Sequence, residues 1–596
     1  DMLFRSSEMD WAQNAICVGK HPHVRPHDYA NAFITADYEI SAFDGTREAF
    51  VGTYNTLKNP KAVIDGKCSN TQGSSDSTIS AIQFNLHLEA GGQRKIEIIL
   101  GVTDNFEKIS CFKKKFFGNF DFYFEELRQN KKQMTDCVMV DTPDEHLNRM
   151  LNFWVKEQAA FGARWCRWGW MGYRDIVQHG YGVSSFDSKR TEEILLEAVK
   201  YQYSSGLALR GWNPIDKKPY SDSALWLVFT LVEYLRETGN TNILKTVVPF
   251  FDEGECSLLC HVERALDFLG NHCGAHNLCL IKFGDWNDSL TAVGKSGAGE
   301  SVWLSEAYAE ALRQMSDMYR FIGEPEKEER CKKRYEEIKE AINASAWDGE
   351  YYCRCFDDNG YPIGSHINEE GKIFAESQGW AMISGVANDE KTSKIIASID
   401  KLLATSQGYK LLAPTFTKID DHIGRISSME PGICENGTIY THVNIWIILG
   451  LLRHNLPDKA YEAFVNVSSG YIGGNNKKHL CPPYIYANCY YGPDHKNHAL
   501  QMEFSWITGS IAWVNQVMVG SFLGVAADFN GLKIEPRVPS SWTQYSVIRK
   551  FRNATYNIHF KRTGNYGKIT VDGNEHEGNI LPAFSDGNEH LINVEF

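Results

Sequence analysis

The spacing of apolar and polar residues changes along the chain, and each change predicts a different kind of element. From residue 1 to about 105 the period is two. Ala81-Ile-Gln-Phe-Asn-Leu-His-Leu88 alternates strictly, Asn31 to Ile40 alternates in part, and Lys95 to Leu100 follows a turn at Glu89 to Gln93. Gly/Ser/Asn-rich stretches such as Cys68 to Ser77 separate these runs. The segment reads as a sandwich short of strands, as if the chain began partway through a β domain. Residues 106–145 are charged and helical in pattern, as in Phe122 to Lys131, and read as a helical linker.

From 146 to 516 the period becomes helical. The pattern predicts helices at Thr191 to Tyr203, Asp222 to Thr238, Leu304 to Ile322, Lys327 to Ile342, Ala375 to Val386, Val443 to Arg453 and Asp458 to Val467. In the third of these, Leu304, Tyr308, Leu312, Met315 and Tyr319 recur at steps of three and four. Val443-Asn-Ile-Trp-Ile-Ile-Leu-Gly-Leu-Leu452 is apolar nearly all round. Helices of that kind suit the inner layer of a double-layered barrel, and amphipathic ones suit the outer layer. From 517 to 596 short strands return: Gly531 to Pro536, Tyr545 to Phe551, Ala554 to Phe560 and Lys568 to Val571, a C-terminal β domain.

Composition narrows the function. A chain of 596 residues needs roughly two to four cores. It has no run of eighteen apolar residues, so no membrane partner is expected. The net charge of -14 comes without a basic stripe, which argues against nucleic acid. No signal peptide pattern opens the sequence, and the 15 cysteines lack C-x-x-C spacing, so they read as reduced, cytoplasmic thiols. Cys260-His261, His272-Cys273, His276 and Cys279 match no zinc pattern, and His21, His23 and His27 read as loop residues; no metal is expected.

Four stretches carry candidate chemistry. Lys282-Phe-Gly-Asp-Trp-Asn-Asp-Ser-Leu290 sets Asp285 and Asp288 in a tight turn, where different depths can separate two carboxylates in role. Trp286 offers a flat face for a sugar ring. The plainer alternative is a helix cap with a core indole. Arg167 to His179 holds Arg167, Arg174, Asp175 and Gln178, which can fork sugar hydroxyls or an oxyanion. Glu435-Asn-Gly-Thr-Ile-Tyr-Thr-His442 and Ser505-Trp-Ile-Thr-Gly-Ser510 complete the set. Thr508 and Gly509 could hold an anion, although each, like His442, also fits a helix cap.

In this order the stretches resemble the inverting glycoside phosphorylases of glycoside hydrolase family 94. The resemblance spans nearly the whole chain, from Phe50-Val-Gly-Thr and Asn59-Pro60 through Gly-Tyr-Arg-Asp, Gly-Asp-Trp-Asn-Asp, Glu-Asn-Gly and Trp-x-Thr-Gly to Gly-Leu-Lys-Ile-Glu-Pro. It implies an N-terminal β-sandwich, a helical linker, an (α/α)6 barrel and a C-terminal β domain, as a homodimer. It implies reversible phosphorolysis of a β-glucoside to α-glucose 1-phosphate, with inorganic phosphate as co-substrate and no cofactor. Asp288 matches the general acid. Arg174, Asp175, Trp286 and Glu435 match sugar-binding positions, with Gln178 and Asn488 beside them. Arg167, His442, Thr508 and Gly509 match the phosphate site.

The chemistry agrees with one catalytic carboxylate. An inverting hydrolase needs an acid and a base, whereas phosphate is itself the nucleophile and needs only a cradle. Asp288 would then carry a proton near neutral pH through burial beside Trp286. His179 stands where the family has Asp, and Asn488 where it has Gln; both bear on substrate identity. The β domain is also shorter than the family's. The alternatives are an inverting hydrolase with Asp288 as acid and Glu435 as base, or a non-catalytic sugar-binding relative.

Overall fold

The computed structural model describes residues 5–20, 31–75, 77–167, 169–471, 480–564 and 567–596, with backbone alone at 20 and 75. His21, His23 and His27 therefore lie outside the described residues, as does Trp168. The chain divides into two compact units, Asp1–Lys132 and Gln133–Phe596. The four-part division expected from the sequence is finer than this.

The first unit is built on an antiparallel sheet. Its strands are β1 (Arg5–Asp10), β2 (Ala15–Lys20), β3 (Asn31–Ala36), β5 (Gly73–Ser75) and β7 (Ile98–Thr103), in the order β5-β1-β2-β3-β7, and β4 (Ala42–Thr46) pairs with β6 (Thr78–Gln83). Alternation sends Cys17, Phe33 and Ile99 into one core, closed by Ile109 and Phe112 of a helix Ile109–Phe116. The neighbouring positions Ile16 and Ile34 pack into another core with Met9 and Phe43. The strictly alternating run Ala81 to Leu88 is strand only through Gln83, because its partner β4 begins at Ala42, opposite Gln83. Likewise β7 runs on to Thr103, because β3 pairs with it from Ala36↔Ile98 to Asn31↔Thr103.

In the second unit, six helices among the described residues are buried almost all round: Tyr173–Val183, Trp226–Thr238, Val302–Ile322 over its first half, Ala375–Ser384, Thr441–Arg453 and Ser510–Asn515. Each packs on the next, and the last returns to the first. Amphipathic helices alternate with them, such as Leu258–Asn271 and Asp389–Leu402. Trp226, Trp303, Trp380, Trp446 and Trp513 meet at the centre, with Trp380 and Trp446 at 5.4 Å between ring centroids. All these side chains are under 4% exposed.

Two stretches depart from the sequence reading. The linker region contains a strand, Val138–Asp141, which pairs with Gln544–Phe551 at the edge of a six-stranded C-terminal sheet. Val138 and Val140 alternate into the core there, and the open sheet edge offers the backbone hydrogen bonds. The stretch Arg167 to His179, outside the helices predicted from periodicity, is helical from Tyr173 onward.

Candidate active site

The site forms at the end of the second unit where the buried helices begin. Arg174 and Asp175 lie in the first turn of Tyr173–Val183, His442 in the first turn of Thr441–Arg453, and Gly509 at the N-cap of Ser510–Asn515. Unpaired N–H groups at helix starts favour anions there.

The loop that carries Asp288 is held from below by buried polar contacts. Asp285 accepts from the Asn287 N–H at 3.0 Å and from the Ser301 hydroxyl at 2.6 Å. It also pairs with Arg354 at 2.6 Å, and Arg354 pairs with Glu376 at 2.8 Å. Arg354, Asp285 and Glu376 are fully buried. Asp285 thus ties the loop and leaves Asp288 as the carboxylate that faces the cleft. The Ser221 N–H donates to the Gly284 carbonyl at 2.9 Å, and the Ser221 hydroxyl to that of Ile281 at 2.9 Å.

Asp288 is paired with Arg174 on one oxygen and with Arg210 at 3.4 Å on the other. Arg174 is itself held by Asp222 at 3.1 Å and by the Asp285 carbonyl at 2.9 Å. The groups bonded to Asp288 are therefore guanidinium groups. The Trp286 indole packs instead on Tyr440, His442 and Trp446, at 5.1, 5.6 and 4.9 Å between centroids. Glu435 accepts from the Ser289 hydroxyl at 2.6 Å, and Arg425 donates to the same hydroxyl at 3.0 Å. Burial pushes the Glu435 carboxyl up; the Ser289 bond opposes this and the charge of Asp288 adds to it.

Asp175 accepts from Arg167 at 3.0 Å. Burial opposes its charge, but Arg167 and Arg174 overcome that and hold its carboxyl below the usual range. Its oxygen presses so close to Gly172 that a Cβ there would lie 2.0 Å from it, which explains the glycine of Gly-Tyr-Arg-Asp. His442 is buried, its Nε2 has no partner, and burial pushes it down to about 3. It is thus a neutral imidazole at neutral pH. Gly509 lies against its ring, where a Cβ would come within 3.0 Å of Cε1. His179 is a second buried imidazole, pushed by burial down to about 4, with Nδ1 unpartnered. The charges of Asp175, Arg174 and Arg167 all reach His442.

The remaining residues are more engaged with the protein. The Thr508 hydroxyl meets that of Ser510 at 2.7 Å. Asn488 donates to the Tyr440 hydroxyl at 2.9 Å. Gln178 accepts from Trp513 Nε1 at 2.8 Å and donates to the Arg174 carbonyl at 3.1 Å. Gln178 thus braces the helix that carries Arg174, and its oxygen does not face the cleft. Sequence reasoning missed Arg210, Asp222, Arg354, Glu376 and Arg425. Arg354 had a signal: it is a lone charge in the apolar run Tyr351 to Phe356. Arg210 had none. It reaches Asp288 because Gly211–Trp212 pairs with Met171–Gly172.

Among the described residues no group of three or more His, Cys, Asp and Glu converges as metal ligands would. None of the helices there is long and apolar enough to cross a membrane.

The fold has solved counterparts. A bacterial glucoamylase solved with acarbose superimposes at a TM-score of 0.56 and 8% identity, over 87% of this chain and 75% of that one, a likeness of fold alone. The family described as "Glycosyl hydrolase 94 superfamily, catalytic domain" matches residues 131–524, and "Glycosyl hydrolase 94, supersandwich domain" matches residues 1–116. The chain belongs to glycoside hydrolase family 94. It is similar to the solabiose phosphorylase of Paenibacillus borealis, at 32% identity over 97% of this chain and 76% of that protein. A 3-O-beta-D-glucopyranosyl-beta-D-glucuronide phosphorylase of the same organism is 28% identical, over 95% and 76% respectively. The protein is an enzyme of this family, related to disaccharide phosphorylases.

Proposed function

We propose that the enzyme catalyses reversible, inverting phosphorolysis of a β-glucoside disaccharide or oligosaccharide, cellobiose- or cellodextrin-like, to α-glucose 1-phosphate. A phosphate oxygen attacks the anomeric carbon from one face. The glycosidic C–O bond breaks on the other, and Asp288 gives its proton to the leaving oxygen. Glycoside hydroxyls would take over Arg174 and Arg210 from Asp288 as the cleft fills, and the sugar would cover the carboxyl from water.

The observation that carries the reading is the surrounding of His442. A buried imidazole nitrogen without a partner, beside Gly509 and within reach of two arginines, suits an anion and has no task in a hydrolase. Relatives named for different disaccharides support the reaction class more than any one sugar. We read the closed ring of buried helices as an (α/α)6 barrel, supported by the alternation of buried and amphipathic helices. A cytoplasmic homodimer without cofactor completes the proposal; cysteines that are all free support the compartment, and the family resemblance supports the dimer.

One observation favours a second assignment of the acid. Burial raises the Glu435 carboxyl, which also lies within reach of Asp288. The test for the reaction is cleavage with and without inorganic phosphate. Phosphate dependence with α-glucose 1-phosphate as product is expected. Equal cleavage to free sugars in phosphate-free buffer would replace the proposal with hydrolysis.

A further inference from the structure

The histidines and cysteines between 256 and 279 take no part in the site above. Their imidazoles are bound by the protein: His261 to Gln202 at 2.7 Å, His272 to the Phe268 carbonyl at 2.8 Å, and His276 to Glu300 at 2.5 Å. Two of the cysteines are arranged differently. Cys273 and Cys279 are directly opposed antiparallel partners. The flanking hydrogen bonds run from the Gly274 N–H to the Leu278 carbonyl, at 2.9 Å, and from the Leu280 N–H to the His272 carbonyl, at 3.0 Å. That pattern makes them a non-hydrogen-bonded pair, in which side chains approach most closely and Cα atoms lie about 4.5 Å apart. A disulfide spans about 4.4–6.8 Å, so the backbone already has the required geometry.

The two thiols are chemically unequal. Cys279 is buried with its thiol within reach of Cys273, whose own S–H is turned to the Leu269 and Gly270 carbonyls at 3.5 and 3.6 Å. Cys273 is half-buried and also accepts from Arg334 Nη2 at 3.2 Å. The neighbouring Cys279 thiol, followed by the Arg334 guanidinium, holds the Cys273 thiol below the ordinary range against the effect of burial. Arg334 also lines a cleft of about 310 Å3 with Gly270, Asn271 and Tyr308, wide enough for a small oxidant.

We propose that Cys273 and Cys279 are a peroxide-reactive thiol pair, a modification site in the hairpin that leads into the Asp288 loop. The Cys273 thiolate attacks one oxygen of a hydroperoxide; the O–O bond breaks, the other oxygen leaves as hydroxide or alkoxide, and a sulfenic acid remains. Cys279 sulfur then attacks Cys273 sulfur, the S–O bond breaks, and the oxygen leaves as water with the Cys279 proton. Two thiols lose two electrons to one peroxide, and a dithiol reductant reverses the change.

The test uses hydrogen peroxide on the full chain at pH 7, followed by alkylation and trypsin. The peptide of residues 265–282 holds Cys273 and Cys279 and no other cysteine. It is expected to become two hydrogens lighter and resistant to alkylation. This should precede any change in peptide 246–264, which holds Cys256, raised above the ordinary thiol range by burial and by Cys260, and Cys260 itself. Arg334→Met should slow the change several-fold at pH 7, as the thiolate fraction falls, and the rate should recover at pH 9. A purely structural role for Arg334 would not be rescued by pH. Cys279→Ser should leave a sulfenic acid on Cys273 that dimedone captures. The proposal is overturned if peptide 265–282 keeps two alkylated cysteines while others oxidise, or if Cys273 is recovered linked to a different cysteine.

Discussion

Asp288 is the one carboxylate of its loop that faces the cleft, and that position sets the sharpest mutational expectation. Asp288→Asn keeps the shape and removes the transferable proton. Turnover should fall about a hundredfold or more, the range of general-acid catalysis, with a smaller change in KM for the glycoside. Steady-state kinetics decide it. A variant within threefold of the parent would move the acid to Glu435, and Glu435→Gln would then carry the loss. His442 offers the matching test for phosphate. His442→Ala should raise the KM for phosphate roughly ten- to a hundredfold, the cost of about 1.5–3 kcal/mol for a hydrogen bond to a charged group. The KM for the glycoside should move far less. Equal effects on both constants would make His442 a packing residue against Trp446, whose ring lies 4.4 Å from it.

At the scale of elements, the buried helices combine aromatic packing with charge that has no outlet. Glu306 sits in Val302–Ile322, fully buried, with neither carboxyl oxygen bonded. Burial raises its carboxyl well above the usual range. The folded state therefore keeps the proton while the unfolded chain releases it above its ordinary carboxylate pKa. Folded stability should then fall as pH rises, with the folding constant changing roughly tenfold per pH unit until the folded group ionises. Glu306→Gln should flatten this slope. Denaturant melts at pH 5.5 and 8 measure it, and identical slopes in both proteins would mean that Glu306 ionises freely in the fold. Trp380→Ala, in the neighbouring helix, should lower stability by about 3–5 kcal/mol, since it leaves a cavity among four other indoles.

For the molecule as a whole, the C-terminal sheet and the helical body belong to one compact unit. One buried ion pair joins them: Arg549 in strand Gln544–Phe551 meets both oxygens of Glu237, each at 2.5 Å. Glu237→Ala leaves the guanidinium buried and unpaired, which typically costs about 3–5 kcal/mol. Limited proteolysis should then cut near residues 517–596 first, while the parent resists. If both are cut at the same sites and rates, the ion pair is not what holds the sheet.

The reach of the sequence follows from which interactions are local. Alternation and helical periodicity are properties of neighbours, so most long helices and the C-terminal strands could be read directly. The short strand Val138–Asp141 was hidden because its partner lies some four hundred residues away, in Gln544–Phe551. Asp288, Arg174 and His442 were legible as types of residue in suggestive loops. Their assembly was not, because it rests on helix starts far apart in the chain meeting at one end of the bundle. Arg210 on Asp288, and Arg354 beneath Asp285, are long-range pairs between charges that no local pattern announces. The same holds for the states of charge. A histidine is an ordinary titrating group in the sequence, and only burial among Trp286, Trp446 and Trp513 makes His442 a neutral one. Local chemistry thus settled the kinds of element and the reactive residue types, while desolvation and pairing across the fold decided which of them face the cleft and in what charge state.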